Sequence, residues 1–123
     1  MARILIVEDE PDMLDLMALK LREAGHTITT TRTGAEGLSV LHAERPDLVL
    51  LDVLLPDTTG LEFCETVRAD TEIRDTLVVM VSASASQRDV GAGLAAGADD
   101  YVTKPFAPSK LVGRIAALLS TDR

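Results

Sequence analysis

Five short strand-like runs punctuate the chain, and longer stretches with a helical spacing of apolar positions fill the gaps between them. The runs are ILIV at 4 to 7, TITTT at 27 to 31, LVLLDV at 48 to 53, LVVMVS at 77 to 82 and DYVTK at 100 to 104. Three of them are almost unbroken in apolar residues. That is the pattern of strands covered by helices on both faces, where neither side of the pleat meets water.

The intervening segments carry helix start and stop signals. EPDMLDLMALKLREAG has Pro11 near its first turn, acids early, Leu14, Met17 and Leu21 on one face, and Gly25 as a stop. GAEGLSVLHAERPD predicts a second helix ended before Pro46, because a residue preceding proline is disfavoured in the helical region. GLEFCETVRAD predicts a third. PSKLVGRIAALLS predicts a last one, with Leu111, Ile115, Leu118 and Leu119 recurring every three or four residues. QRDVGAGLAAGAD is the weakest, since Gly91 and Gly93 each cost about 1 kcal/mol relative to Ala inside a helix. It predicts a marginal, mobile helix.

Strict alternation of strand and helix resolves into an α/β fold, a doubly wound five-stranded parallel sheet with five helices and right-handed crossovers. No internal repeat, low-complexity segment or linker interrupts it. The expected unit is one domain over 1–120, with 121–123 as a frayed end or boundary. At 123 residues such a domain buries roughly two-thirds of the surface its unfolded chain exposes.

Charge and composition narrow the function. A formal net charge of −8 with scattered Lys and Arg argues against direct nucleic-acid binding, which needs a clustered basic face. No apolar run approaches the ~20 residues that span a bilayer. The N-terminus MARILIVEDEPD turns acidic too soon for a secretory signal, so a cytoplasmic domain without membrane contact is expected. The single Cys64 sits on the apolar side of its helix with Leu61 and Val67, and reads as a packed thiol without chemistry. His26 and His42 read as solvated surface.

The chemistry begins with Asp52, one carboxylate inside the run LVLLDVLLPDTTG. Burying an unpaired carboxylate costs several kcal/mol, so something must justify it. In open parallel sheets, ligands sit at the carboxyl ends of the strands. The residues at those ends are Glu8 and Asp9 after the first strand, Asp52 after the third, Ser82 after the fourth, and Lys104 with Pro105 after the fifth. Three carboxylates in one pocket raise a pKa or bind a cation, and hard oxygen donors favour Mg2+, with Mn2+ as an alternative. A lysine and a hydroxyl suit a phosphoryl group, and a carboxylate can serve as nucleophile to form an acyl phosphate.

The fragments VEDE, LLDVLLPDTTG, VSA and GADDYVTKPF, in this order and spacing, resemble the receiver domain of two-component response regulators over essentially the whole chain. The resemblance implies the CheY-like, flavodoxin-like strand order 2-1-3-4-5. It implies Asp52 as the phosphoacceptor for a histidine kinase or phosphotransfer protein. Asp9, Asp52 and the backbone carbonyl of Leu54 would ligate Mg2+, with Glu8 acting mainly through water. Ser82 and Lys104 would contact phosphoryl oxygens, Tyr101 would be the aromatic switch that turns inward as Ser82 moves, and the peptide joining Lys104 to Pro105 would be cis. The implied role is a phosphorylation-controlled signalling switch rather than an enzyme, with slow self-dephosphorylation as its reaction on water. A downstream protein or a fused output domain would read it, and it would be a monomer or a phosphorylation-dependent dimer. Receivers of winged-helix regulators carry a basic residue in the fourth helix and an acid early in the fifth. Val90 and Lys110 stand near those places here, while Arg114, Asp99 and Asp100 match the pattern.

Competing classes have their own signatures. A Mg-dependent phosphohydrolase with an aspartyl nucleophile would carry a second acid two residues on, where this chain has Leu54. A flavin module would want a Gly/Ser/Thr-rich loop after the first strand, and EDEPD would repel phosphate instead. A phosphorylation-independent interaction module typically lacks the acceptor Asp or the Lys, and both are present.

Overall fold

A computed structural model describes residues 1–121. The elements are β1 (Arg3–Val7), α1 (Pro11–Glu23), β2 (Thr27–Thr31), α2 (Gly34–Glu44), β3 (Leu48–Asp52), α3 (Gly60–Ala69), β4 (Leu77–Ser82), α4 (Gln87–Ala95), β5 (Asp100–Thr103) and α5 (Pro108–Thr121). The strands form one parallel sheet in the order β2-β1-β3-β4-β5, as the resemblance implied. Of the expected frayed end, Thr121 closes α5, and residues 122 and 123 lie outside the described residues.

The unbroken apolar runs divide their side chains between the two faces, as a period of two requires. Ile4, Ile6, Leu48, Leu50, Val79 and Val81 pack beneath α1 and α5 against Leu14, Met17, Leu21, Leu111 and Ile115. Leu5, Val7, Val49, Leu51, Val78 and Met80 face the other way, toward Leu41 of α2 and Phe63, Cys64 and Val67 of α3. Each such side chain removed from water contributes roughly 1.5–3 kcal/mol, which is what holds the three central strands in register. Leu118 and Leu119 are only partly buried, and Leu61 stands at the edge of its cluster.

The helix ends follow from local chemistry. The Glu10 carboxylate accepts from the amides of Asp12 and Met13, and Pro11 occupies the first turn of α1. Thr33, Thr59 and Ser86 cap α2, α3 and α4 through their hydroxyls. Gly25 and Gly97, with φ of 98° and 112°, supply the left-handed turns that end α1 and follow α4. α2 stops at Arg45, which takes φ 49° just before Pro46. The weakest expected helix does form over nine residues, with Gly93 buried. Among the described residues, no helix is long and apolar enough to cross a membrane.

Candidate functional site

Parallel pairing brings every strand's carboxyl end to one edge, and the central strands β1, β3 and β4 end there side by side. Asp52 and Ser82 are the last residues of β3 and β4, while Glu8 and Lys104 directly follow β1 and β5. β3 ends at Asp52, one residue short of the expected run. Val53 already belongs to the turn, its amide donating to the Val81 carbonyl at 3.2 Å.

Glu8 is completely enclosed, and both its carboxylate oxygens are used. One accepts from the Lys104 ammonium at 2.9 Å, the other from the Glu10 amide at 3.2 Å. The same ammonium lies 3.4 Å from Asp52, whose other oxygen accepts from the Leu54 amide at 3.3 Å. Oxygens of Glu8, Asp9 and Asp52 all lie within 4.8 Å of one another. One lysine therefore faces three acids. Burial is the main cause that pushes Glu8 up to about 7, and the neighbouring Asp52 carboxylate adds to it, while Lys104 opposes the rise only in part. Burial alone would lower Lys104, but the bonds and charges of Glu8 and Asp52 outweigh it and hold the ammonium above its usual range.

The loop after β3 is built for close approach. The Gly60 amide donates to the Val53 carbonyl at 2.6 Å, and a Cβ on Gly60 would stand 2.9 Å from the Val53 Cα. Leu54 pairs with Thr59 in an isolated bridge, and its side chain is 73% exposed beside the acids. Asp57, which the sequence reading passed over, reaches 23 residues back and accepts from the amides of Gly34 and Ala35 at 2.8 and 2.9 Å. It thereby pins the loop to the start of α2, and those two bonds hold its carboxyl below the usual range.

On the other side, Ser82 is buried, its carbonyl accepts from the Lys104 amide at 2.7 Å, and its hydroxyl accepts from the Ser84 amide at 3.1 Å. Tyr101 faces inward, 7% exposed, with its hydroxyl donating to the Ser84 carbonyl at 2.9 Å. The peptide joining Lys104 to Pro105 is cis. A cavity of about 380 Å³ opens beside the acids, lined among others by Asp52, Leu54, Leu61, Ser82, Tyr101 and Lys104. The site residues expected from the sequence thus gather at one edge. The hard oxygen donors and uncompensated negative charge fit a divalent cation of the Mg2+ type.

Two acids elsewhere are already paired. Asp99 binds Arg68 at 2.9 Å and Asp100 binds Arg114, so both acids that match the winged-helix pattern are paired within the chain. Cys64 is buried, and burial raises its thiol, as a packed cysteine should behave. His26 is half-buried rather than solvated, because its Nδ1 accepts from the Ala2 amide at 3.1 Å. His42 is exposed but engaged, with Asp70 at 2.7 Å and the Leu38 carbonyl at 3.0 Å. The bond to Asp70 is the main cause that raises it.

A doubly wound parallel sheet with an acidic, lysine-bearing carboxyl edge is the arrangement of a receiver, a regulatory class of domain. The chain belongs to the response regulator receiver domain family, whose family model matches residues 4–116. Over 117 residues it is 41% identical to the DNA-binding response regulator MtrA of Mycolicibacterium smegmatis, covering 95% of this chain and 50% of that protein. The chain thus spans about half the length of the curated relatives it matches. Among solved structures, a putative response regulator from Chloroflexus aurantiacus superposes with a TM-score of 0.92 at 34% identity, covering 97% of this chain and 98% of that one. The receiver domain of a sensor histidine kinase from Pseudomonas aeruginosa, solved with a magnesium ion in its active-site cleft, has a TM-score of 0.89 at 28% identity, with 98% of both chains covered.

Proposed function

We propose that this domain is a switch set by phosphorylation of Asp52, with a histidine kinase or phosphotransfer protein as donor. An Asp52 oxygen attacks the phosphorus of a phosphohistidine. The phosphorus–nitrogen bond breaks, its electron pair returns to the imidazole, and an acyl phosphate remains on the protein. Lys104, 3.4 Å from Asp52 at rest, pairs with one phosphoryl oxygen, and the Ser82 hydroxyl donates to another. Asp9, Asp52 and the Leu54 carbonyl would hold Mg2+, or Mn2+ in its place, with Glu8 acting mainly through water, and the ion would supply neutralisation of the phosphoryl charge. Tyr101, joined to the loop after Ser82, is the aromatic element whose packing follows the state of the site.

The observation that carries this reading is the crowding of three acids around one lysine, with burial holding Glu8 far above its usual range. The magnesium in the Pseudomonas aeruginosa receiver supports the choice of cation. MtrA is named as a DNA-binding regulator, which supports a fused or separate output partner rather than nucleic-acid binding by this acidic domain. The same reading makes the domain cytoplasmic, and monomeric or dimeric on phosphorylation. Intact-mass spectrometry after incubation with Mg2+ and acetyl phosphate tests it. One added phosphoryl group, absent from Asp52→Ala and in chelator, is the expected result. No gain of mass, also with a panel of histidine kinases, would return the domain to the class of interaction modules.

A further inference from the structure

Ser84 is a junction. Its amide donates to the Ser82 hydroxyl at 3.1 Å, and its carbonyl accepts from Tyr101 at 2.9 Å. Its own hydroxyl donates to Asp89, in the first turn of α4, at 2.5 Å. Three elements therefore meet on one residue. The bonds to Ser82 and Tyr101 use backbone atoms that any residue supplies, while the hydroxyl serves the start of α4, where besides Asp89 it lies 3.3 Å from the hydroxyl of the cap residue Ser86 and accepts from the Ser86 amide at 3.4 Å. Only the link to α4 depends on the serine side chain.

That link is short and charge-assisted, in the range of the stronger hydrogen bonds. Asp89 is also held at its own amide by the cap residue Ser86, at 3.1 Å, so a pull on its carboxylate acts on the helix start rather than on a loose side chain. α4 is poorly tied otherwise. Only Gly93 is buried along its length, and Leu94 is 48% exposed. A helix with few apolar anchors belongs to the low-stability end of a fold, where a single bond shifts the balance between two arrangements.

We propose that the Ser84 hydroxyl, through Asp89, is the positioning group that carries the state of the Asp52 site into α4, separately from the limb that ends in Tyr101. When Ser82 turns toward a phosphoryl oxygen, its lone pair keeps the Ser84 amide, and the Ser84 backbone follows. The Asp89 bond then drags or releases the start of α4. The proposal rests on Asp52 as the phosphoacceptor.

Two variants separate the limbs. Ser84→Ala keeps the amide and carbonyl and removes only the hydroxyl. Asp89→Asn keeps an oxygen acceptor and serves as the conservative control. Each protein is studied by intact mass with acetyl phosphate, by amide exchange over α4 with and without Mg2+ and beryllofluoride, and by emission of Tyr101. That residue is the only Tyr in a chain without Trp, so it reports alone. In the wild type, α4 exchange and Tyr101 emission should both respond. In Ser84→Ala the mass gain and the Tyr101 response should remain, while the α4 response shrinks by roughly tenfold, the loss expected of one charge-assisted bond. Asp89→Asn should keep most of it. An unchanged α4 response in Ser84→Ala overturns the relay while leaving phosphorylation standing. A wild type that gains no phosphoryl mass removes both readings together, and a mass gain with no α4 response in the wild type overturns the relay alone.

Discussion

The ammonium of Lys104 rests 2.9 Å from the carboxylate of Glu8, a fully enclosed acid of the pocket. Lys104 does not neutralise the site, because Asp9 and Asp52 share the same space. Burial, with the Asp52 carboxylate adding to it, pushes Glu8 up from 4.5 to about 7. A group that binds its proton more tightly when folded contributes stability that is complete below its unfolded pKa and is lost as pH rises through its folded one. In chelator, the free energy of unfolding read from urea titration should decline as pH rises from 4.5 through 7, by roughly 1 to 3 kcal/mol at full extent. Glu8→Gln should flatten that slope. Added Mg2+ should restore stability at the high end, where the cation takes the proton's place.

Asp52 is one of the causes that raise Glu8. Asp52→Asn relieves this repulsion while Lys104 keeps its shorter bond to Glu8, so the apo variant should be more stable by about 1 kcal/mol. It should accept no phosphoryl group. Thermal unfolding in chelator, beside intact mass after acetyl phosphate, reads both effects. An unaltered or lower midpoint would mean that the pocket is not strained by its charge.

Arg68 should be the most costly charged residue to lose outside the site. Its guanidinium donates to the carbonyls of Gly97, Arg74 and Thr76 at 2.9, 2.7 and 2.6 Å, and to Asp99 at 2.9 Å. One side chain thus joins α3 to the loops before β4 and β5. Arg68→Ala should destabilise by about 2–4 kcal/mol, since it leaves several acceptors without a donor. Arg68→Lys should recover little, because an ammonium lacks the planar fork that serves separate carbonyls. Urea unfolding of both variants measures this.

The strands and the pocket were legible in the sequence because their signals are local. Leu48 to Leu51 are written for burial on both faces, and Asp52 stands out against them. Glu8, Asp9, Ser82 and Lys104 could be gathered because parallel pairing sends every strand end to one edge. Arg68 and Ser84 could not. Arg68 binds mostly backbone carbonyls, and an arginine that serves three carbonyls looks no different in sequence from one on a solvated helix face, while Ser84 offers its own amide and carbonyl to two of its partners, which no residue type signals. Asp57 was hidden likewise, since a loop carboxylate that caps a helix 23 residues away carries no local signature.

The two glycines of α4 look alike in sequence and differ in space. A Cβ on Gly91 would meet nothing within 4 Å, so Gly91→Ala should stabilise the helix by about 0.5–1 kcal/mol through propensity and the unfolded chain. A Cβ on Gly93 would stand 3.0 Å from both the Met80 sulfur and the Tyr101 ring. Gly93→Ala must therefore push α4 away from the sheet or move the ring, and its propensity gain should be cancelled or reversed. Urea unfolding separates the two by sign, and Tyr101 emission should change in Gly93→Ala but not in Gly91→Ala. Equal stabilisation with unchanged emission in both would mean that α4 is not seated on Tyr101. Gly91 is the place to rigidify the helix without touching its contact with the ring, and a slower α4 amide exchange in Gly91→Ala, with Tyr101 undisturbed, is the outcome expected if the seat is as tight as the 3.0 Å approach requires.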